Sequence, residues 1–393
     1  MAVREQVYGY FIPSVTLIGI GAAKQIPDKI KALGGSKPLI VTDKGITGAG
    51  ITKQITDLLE AAGMAYVVYD ETIPNPTDKN VHDGVDIYKK ENCDSLITLG
   101  GGSSHDCGKG VGLVVANGGK IHDYEGVDKS SKPMPPYLAV NTTAGTASEM
   151  TRFCIITDTS RHVKMAIVDW RVTPGIAVDD PMLMVGMPPA LTAATGMDAL
   201  THAVEAYVST IATPMTDSAA EKAIELIAKY LRPAVANGQD IEAREGMCFA
   251  QYLAGMAFNN ASLGHVHAMA HQLGGFYDLP HGECNAILLP HVEKFNLIAK
   301  MDRFVKIAEL MGENTAGLAP RDAAELALVA IRKLSADIGI PAGLIELGKK
   351  YGKEVKASDI DTMVANAQKD ACGLTNPLCL KDADIKEIYT AAL

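Results

Sequence analysis

Short apolar runs alternate with stretches of helical spacing in the first half of the chain, and only the helical spacing continues in the second. KPLIVTD (37–43) is apolar up to Asp43 and predicts a strand. ITKQITDLLEAAG (51–63) repeats its apolar positions every three to four residues and predicts a helix stopped at Gly63. MAYVVYD (64–70) predicts a second strand, and 75–93 a helix opening on the capping-type Thr77. SLITLGGGSS (95–104) predicts a strand entering a glycine turn, with a helix from there through Val115. PPYLAVNTTAGTASE (135–149) predicts another strand and another polar turn. Strands alternating with helices imply a parallel sheet with right-handed crossovers.

The pattern changes in MVGMPPALTAATG (184–196), at the pair Pro188–Pro189. Beyond it, 216–231, 242–258, 323–339 and 382–393 all carry helical period. The expectation is therefore an α/β N-terminal domain over 1–187 and an all-helical domain over 188–393.

Composition narrows the partners. The net charge of −10 argues against nucleic-acid binding, which needs a basic surface, and against anionic membranes. No run approaches the ~20 apolar residues of a membrane helix, and the N-terminus has no apolar core after Arg4. Seven cysteines without a CxxC pair read as reduced, mostly buried thiols. The expected setting is the cytoplasm.

Two loops and one cluster carry chemistry. LGGGSSHDCGKG (99–110) joins a strand to a helix, so its backbone can approach a ligand and its helix N-terminus can meet a phosphate. It is not the GxGxxG fingerprint, and an ordinary tight turn is the bland alternative. NTTAGTASE (141–149) is a second hydroxyl-rich loop at the same sheet edge, suited to ribose or phosphate, or merely to capping. Asp43, at a strand end, suits the hydroxyls of an adenine ribose and would repel a 2′-phosphate; it serves equally well as a cap. Lys164, in a strand-like run, is either a ribose or phosphate contact or a solvated edge lysine. Asp198 and His202 lie four apart on a helical segment, His267 and His271 repeat that spacing, and His281 follows in the turn-like LPHGE. A carboxylate converging with imidazoles suits a divalent first-row metal. HAMAH is not HExxH and lacks the glutamate base of a metalloprotease. Phe258 is a candidate pocket wall, with a core aromatic as the bland alternative.

The segments GGGSSHDCGKG, NTTAGTASE, ATGMDALTHAVEAY, AGMAFNNASLGHVHAMAHQLGG and LPHGECNAILLPHV resemble the iron-containing (group III) alcohol dehydrogenases over essentially the whole chain. The resemblance is nearest to the branch of 1,3-propanediol dehydrogenases and NAD-dependent methanol dehydrogenases. It implies a dehydroquinate synthase-like fold with the site in the cleft between the domains. It implies metal ligands at Asp198, His202, His267 and His281, and a proton-relaying His271. It implies NAD contacts at Asp43, Asn75, Gly101, Gly102, Ser103, Asp106, Thr142, Thr143, Thr146 and Lys164. The implied metal is Fe(II), with Zn(II) as the alternative, and the implied assembly is a homo-oligomer, a dimer or a decamer. The implied chemistry is hydride transfer between short primary alcohols or diols and nicotinamide. The rivals are a dehydroquinate synthase-type or glycerol dehydrogenase-type enzyme on the same fold, and a catalytically silent protein that binds NAD and metal. Two departures stand out. Ala147 replaces a glycine of the common GTGSE pattern, and Ser104–His105 replaces Pro-Gln or Pro-His.

Overall fold

The computed structural model describes residues 7–161 and 163–393, so Arg4 and the start of the N-terminal stretch lie outside the described residues. Among the described residues nine strands precede residue 180: β1 (Val15–Ile18), β2 (Pro38–Asp43), β3 (Val67–Thr72), β4 (Ser95–Gly100), β5 (Gly126–Val127), β6 (Tyr137–Asn141), β7 (Phe153–Asp158), β8 (Val163–Val168) and β9 (Ile176–Asp179). Between them run α1 (Ile26–Ala32), α2 (Lys44–Gly48), α3 (Ile51–Ala61), α4 (Asp78–Lys90) and α5 (Gly102–Asn117). From Pro189 onward the regular elements are helical: α6 (Pro189–Val208), α7 (Pro214–Ala236), α8 (Ile241–Ala261), α9 (His265–Tyr277), α10 (His281–Asn296), α11 (Met301–Leu310), α12 (Pro320–Asp337), α13 (Leu344–Lys350), α14 (Ile360–Ala367) and α15 (Asp382–Ala392).

Six strands form a parallel sheet in the order β1-β9-β6-β4-β2-β3. The inner strands β4, β6 and β9 are buried along their whole length, as a sheet covered on both faces requires. Ile26, Ile30, Ile55 and Leu59 of α1 and α3 cover one face, and Val81, Val85, Val111 and Val114 of α4 and α5 the other. From β2 the chain goes outward to β3, then returns to the other side of β2 to lay down β4, β6 and β9. That reversal opens a crevice at the carboxyl ends of β2 and β4, where open α/β sheets take their ligands.

The expected strands and helices appear with small shifts. The second strand starts at Val67 rather than residue 64, because Gly63 and Met64 are spent on the helix stop. Gly63 holds φ at 66° and donates to the Glu60 carbonyl. Thr77 caps α4 through a reciprocal pair with Asn80. β8 covers the strand-like run that holds Lys164, whereas β1, β5, β7 and β9 lie outside the expected strands. His281 is not in a turn: it is the first residue of α10, because Pro280 sets the helix start and needs no backbone donor there.

Candidate active site

The site is built from two loops of the sheet and three helices. The first loop follows β4. Gly101 takes the cap position of α5 with no side-chain cap, which leaves the first N–H groups of the helix open. A Cβ on Gly101 would lie 3.0 Å from Thr143, and one on Gly102 would lie 3.1 Å from Thr146. Bare backbone of one loop thus faces the threonines of the other. The second loop leaves β6 at Asn141, whose Oδ1 accepts from the Thr143 amide at 3.0 Å. Thr142 is buried with its hydroxyl unpartnered, while Thr146 is half-buried and accepts from the Ser148 amide at 3.2 Å. Free helix donors, half-buried threonine hydroxyls and a glycine floor fit a dinucleotide phosphate and its ribose.

The other expected cofactor contacts fall around this cradle. Asp43 accepts the Ile46 amide (3.0 Å) through one oxygen and the Ser104 hydroxyl (3.1 Å) through the other, so it caps α2 and ties β2 to the glycine loop. Ser104, a departure from the family pattern, thereby has a defined place. Ser103 lies half-buried in the first turn of α5. Asp106 accepts from the Ser148 hydroxyl (2.9 Å) and the Ile155 amide (3.2 Å), holding the second loop and β7 onto α5. Beneath it, fully buried Lys109 donates to four oxygens of Ser148, Thr151 and Phe153. Lys164 of β8 is not a solvated edge lysine. Its ammonium donates to Asn75 Oδ1 at 2.9 Å, and burial lowers its pKa. Asn75 in turn reaches Asp278, between α9 and α10, at 3.4 Å.

The loop after β6 also touches the helix that carries the acidic ligand candidate. A Cβ on Gly145 would meet the Thr195 carbonyl oxygen of α6 at 2.7 Å. One turn further along α6 stand Asp198 and, four residues on, His202. Nε2 of His202, His267 and His281 lie 3.9, 3.7 and 3.6 Å from Asp198 Oδ1. Four donors around one ion with bonds near ~2.1 Å are ~3.4 Å apart in a tetrahedron, so this spacing fits a small divalent cation. Ligand atoms of Asp198, His267 and His281 all lie within 4.8 Å of one another; His202 stands just outside that tightest set. Its ring is stacked between Phe258 (4.2 Å) and His267 (4.7 Å), so Phe258 is a buried core aromatic that also steers a ligand candidate.

The electrostatics follow from this packing. Burial pushes the Asp198 carboxyl up, but His202, His281 and His267, protonated at the low pH where it titrates, outweigh this and hold its pKa below the ordinary carboxylate value. Burial lowers His202 to about 4 and also lowers His281, so both imidazoles are neutral and present lone pairs at pH 7. His267 Nδ1 hydrogen-bonds Glu205 Oε2 at 2.5 Å, and Glu205 also accepts the Val266 amide at 2.7 Å. A carboxylate behind a ligating imidazole fixes its ring and tautomer. His271 sits apart from the tight set, half-buried, with Nδ1 2.8 Å from Asp370 Oδ2 and its ring stacked on His281 at 5.4 Å.

Three of these residues escaped the sequence reading. Glu205 lies seven residues after Asp198 on the same helical segment, and Asn285, whose amide nitrogen donates to Asp198 Oδ1 at 2.7 Å, lies four after His281; helical spacing could have found both. Asp370 comes 99 residues after His271, and no local pattern announces it.

Comparison with known proteins agrees with this architecture. The family model described as iron-containing alcohol dehydrogenase matches residues 13–181, and that of the Fe-containing alcohol dehydrogenase family, C-terminal, matches 192–393. The chain belongs to the iron-containing alcohol dehydrogenase family. Among its relatives in this family, the 1,3-propanediol dehydrogenase of Citrobacter freundii is 53% identical over 98% of this chain and 99% of its own. The NAD-dependent methanol dehydrogenase of Bacillus methanolicus is 50% identical over the same shares. A solved 1,3-propanediol oxidoreductase superposes with a TM-score of 0.96 at 50% identity, covering 99% of this chain and all of that one. The dehydroquinate synthase-like fold and the expected branch are both established by these relatives.

Proposed function

We propose that this protein is an NAD- and metal-dependent alcohol dehydrogenase that interconverts short primary alcohols or diols with their aldehydes in the cleft described above. The observation that carries the reading is the juxtaposition of a dinucleotide cradle with an Asp/His cluster, joined through the Gly145–Thr195 contact. The names of three relatives, a 1,3-propanediol dehydrogenase, an alcohol dehydrogenase and an NAD-dependent methanol dehydrogenase, support the substrate class.

Division of labour follows the architecture, with the α/β domain taken as 1–187 and the helical domain as 188–393. Gly101, Gly102 and Ser103 bind the pyrophosphate through helix N–H groups, while Thr142, Thr143 and Thr146 face the nicotinamide half from the neighbouring loop. Asp43 meets the adenine ribose with the lone pairs that Ile46 and Ser104 leave free, which favours NAD over NADP. Asn75 and Lys164 close the cradle toward the helices, and Asp106 holds the second loop in place. Asp198, His202, His267 and His281 hold the metal. The family points to Fe(II), while the donor set alone admits Zn(II). When bound, the metal supplies Lewis-acid polarisation of the alcohol oxygen, and NAD accepts the hydride. His271, oriented by Asp370, carries the released proton outward.

Among the described residues no helix is long and apolar enough to cross a membrane. All seven cysteines are free and five are buried, which supports a reducing cytoplasmic setting. Assembly as a homo-oligomer, dimer or decamer, belongs to the same reading.

The test is anaerobic. Metal-free protein is reconstituted with Fe(II), Zn(II) or buffer and assayed for NADH formation with short alcohols and diols, using NAD and NADP. The expected result is metal-dependent NADH formation that strongly prefers NAD. Absence of net NADH with every metal and substrate, in either direction, would favour a lyase that regenerates its own NAD.

A further inference from the structure

The metal-site reading leaves one buried side chain without a role. Asn285 projects from α10 one turn after His281 and is fully buried. Its amide nitrogen lies 2.7 Å from Asp198 Oδ1, 3.2 Å from His267 Nε2 and 3.1 Å from His281 Nε2. One side-chain amide thus touches ligand atoms from α6, α9 and α10 at once. The amide is oriented by Asp198: an oxygen placed 2.7 Å from a carboxylate oxygen would be repelled, so the nitrogen must face inward. Its outer end, Oδ1, is buried and unpartnered.

We propose that Asn285 is a positioning residue of the metal site. Its amide clamps the Asp198 carboxylate from α10 and so fixes the acidic ligand of α6 against the histidines of α9 and α10. An NH2 group has two protons for three acceptors. One goes to the charged carboxylate, whose oxygen keeps a second lone pair for the metal; the two imidazole nitrogens, both at longer range, have one lone pair each, which a bound metal would take. The clamp fixes which carboxylate oxygen turns inward and keeps Asp198 from rotating away from the imidazoles. Glu205 does the corresponding work for His267 from the opposite side of the ring. Neighbours of this kind set ligand geometry, and losing one typically lowers metal affinity by 10–100-fold.

The inference rests on the metal-site reading, and the experiment separates the two. Full-length apoprotein, prepared with a chelator, is titrated anaerobically with Zn(II) and with Fe(II) in competition with a chromophoric chelator. Wild type, Asn285→Ala and Asn285→Leu are compared; the leucine fills the space but offers no hydrogen bond. NAD affinity, measured on the same samples, reports the state of the sheet. Both variants are expected to bind metal on the order of 10–100-fold more weakly, with NAD affinity unchanged. If the alanine variant does not fold, the leucine variant decides. Variants that bind metal within threefold of wild type would overturn the role of Asn285 while leaving the site intact. Wild type that binds no metal would overturn the site reading itself.

Discussion

Ala147 is a residue whose backbone and packing disagree unless a partner glycine is present, and that pair makes a quantitative prediction. Ala147 holds φ at 52° and ψ at 22°, in the left-handed region, and is fully buried in the loop between Thr146 and Glu149. A side chain pays about 1–2 kcal/mol for that conformation. The methyl group packs against Gly255 of α8, where an added Cβ would lie 2.4 Å from the Ala147 Cβ, 2.9 Å from Met150 Sδ and 3.2 Å from Met150 Cγ. Ordinary carbon contacts are about 3.5–4.0 Å. The methionine can swing aside, but the alanine methyl has no torsion to yield. Gly255→Ala should therefore cost near the upper end of the ~1–3 kcal/mol range for overpacking. For a chain of this size that is a fall in Tm of about 2–5 °C. Ala147→Gly removes the opposing methyl, losing ~0.8 kcal/mol of burial while relieving the left-handed strain. The double variant should return to within ~1 kcal/mol of wild type, a coupling of about 1–2 kcal/mol. Scanning calorimetry at fixed protein concentration, with the KM for NAD measured in parallel, checks both ends of the argument. KM should rise in Gly255→Ala, because the displaced loop carries Thr143 and Thr146, and recover in the double variant. A Gly255→Ala protein as stable as wild type, or a double variant no better than the single, would refute the packing account.

Other expectations follow from the site. Glu149 is buried beside Asp179, with Gln251 donating to both at 2.9 and 3.1 Å, and burial raises the Glu149 carboxyl to about 7. The folded protein therefore keeps a proton that an unfolded glutamate near ~4.5 releases, so this stabilisation is full below pH ~4.5 and is lost as pH rises through about 7. Tm measured from pH 5 to 8 should fall more steeply for wild type than for Glu149→Gln; parallel profiles would count against the buried proton. Glu205→Gln should weaken metal binding on the order of 10-fold or more through a less firmly held His267, and equal affinity in a chelator competition would remove Glu205 from the site's support. Substituting His271 by alanine should lower kcat on the order of 100-fold, and Asp370→Asn by less, with metal content near full in both. Loss of metal from either protein would make His271 a ligand rather than a proton carrier.

Much of this was legible in the sequence because it is local. Glycine at 101 and 102, the Asp198–His202 spacing and the Thr77 cap are all set by neighbours within a turn or a loop. What could not be read there depends on chain returning from far away. β1 and β9 pair across more than 150 residues of sequence and carry short runs that periodicity does not separate from loop. Asp370 reaches His271 from an irregular segment near the C-terminus, and Asp278 reaches Asn75 from the opposite wall of the cleft. Lys164 looked like an edge residue because its strand alternates exposure, yet its ammonium donates to Asn75 and lies 3.9 Å from where a Cβ on Gly274 of α9 would stand. Ala147 was visible as a departure from the family pattern, but its compensation at Gly255 lies on a different element and appears only in the packing.

The central claim is that one divalent metal is held between the sheet's cofactor loops and the helices by Asp198, His202, His267 and His281. Anomalous diffraction at the iron edge, from anaerobically grown crystals of Fe(II)-loaded protein, tests it most directly. The account predicts one strong peak per chain, within about 2.0–2.3 Å of one carboxylate oxygen and three imidazole nitrogens of those residues. A peak held instead by His271, Asp370 and Cys372, or by Asp78, His122 and Asp158, the other groups with ligand spacing among the described residues, would contradict it.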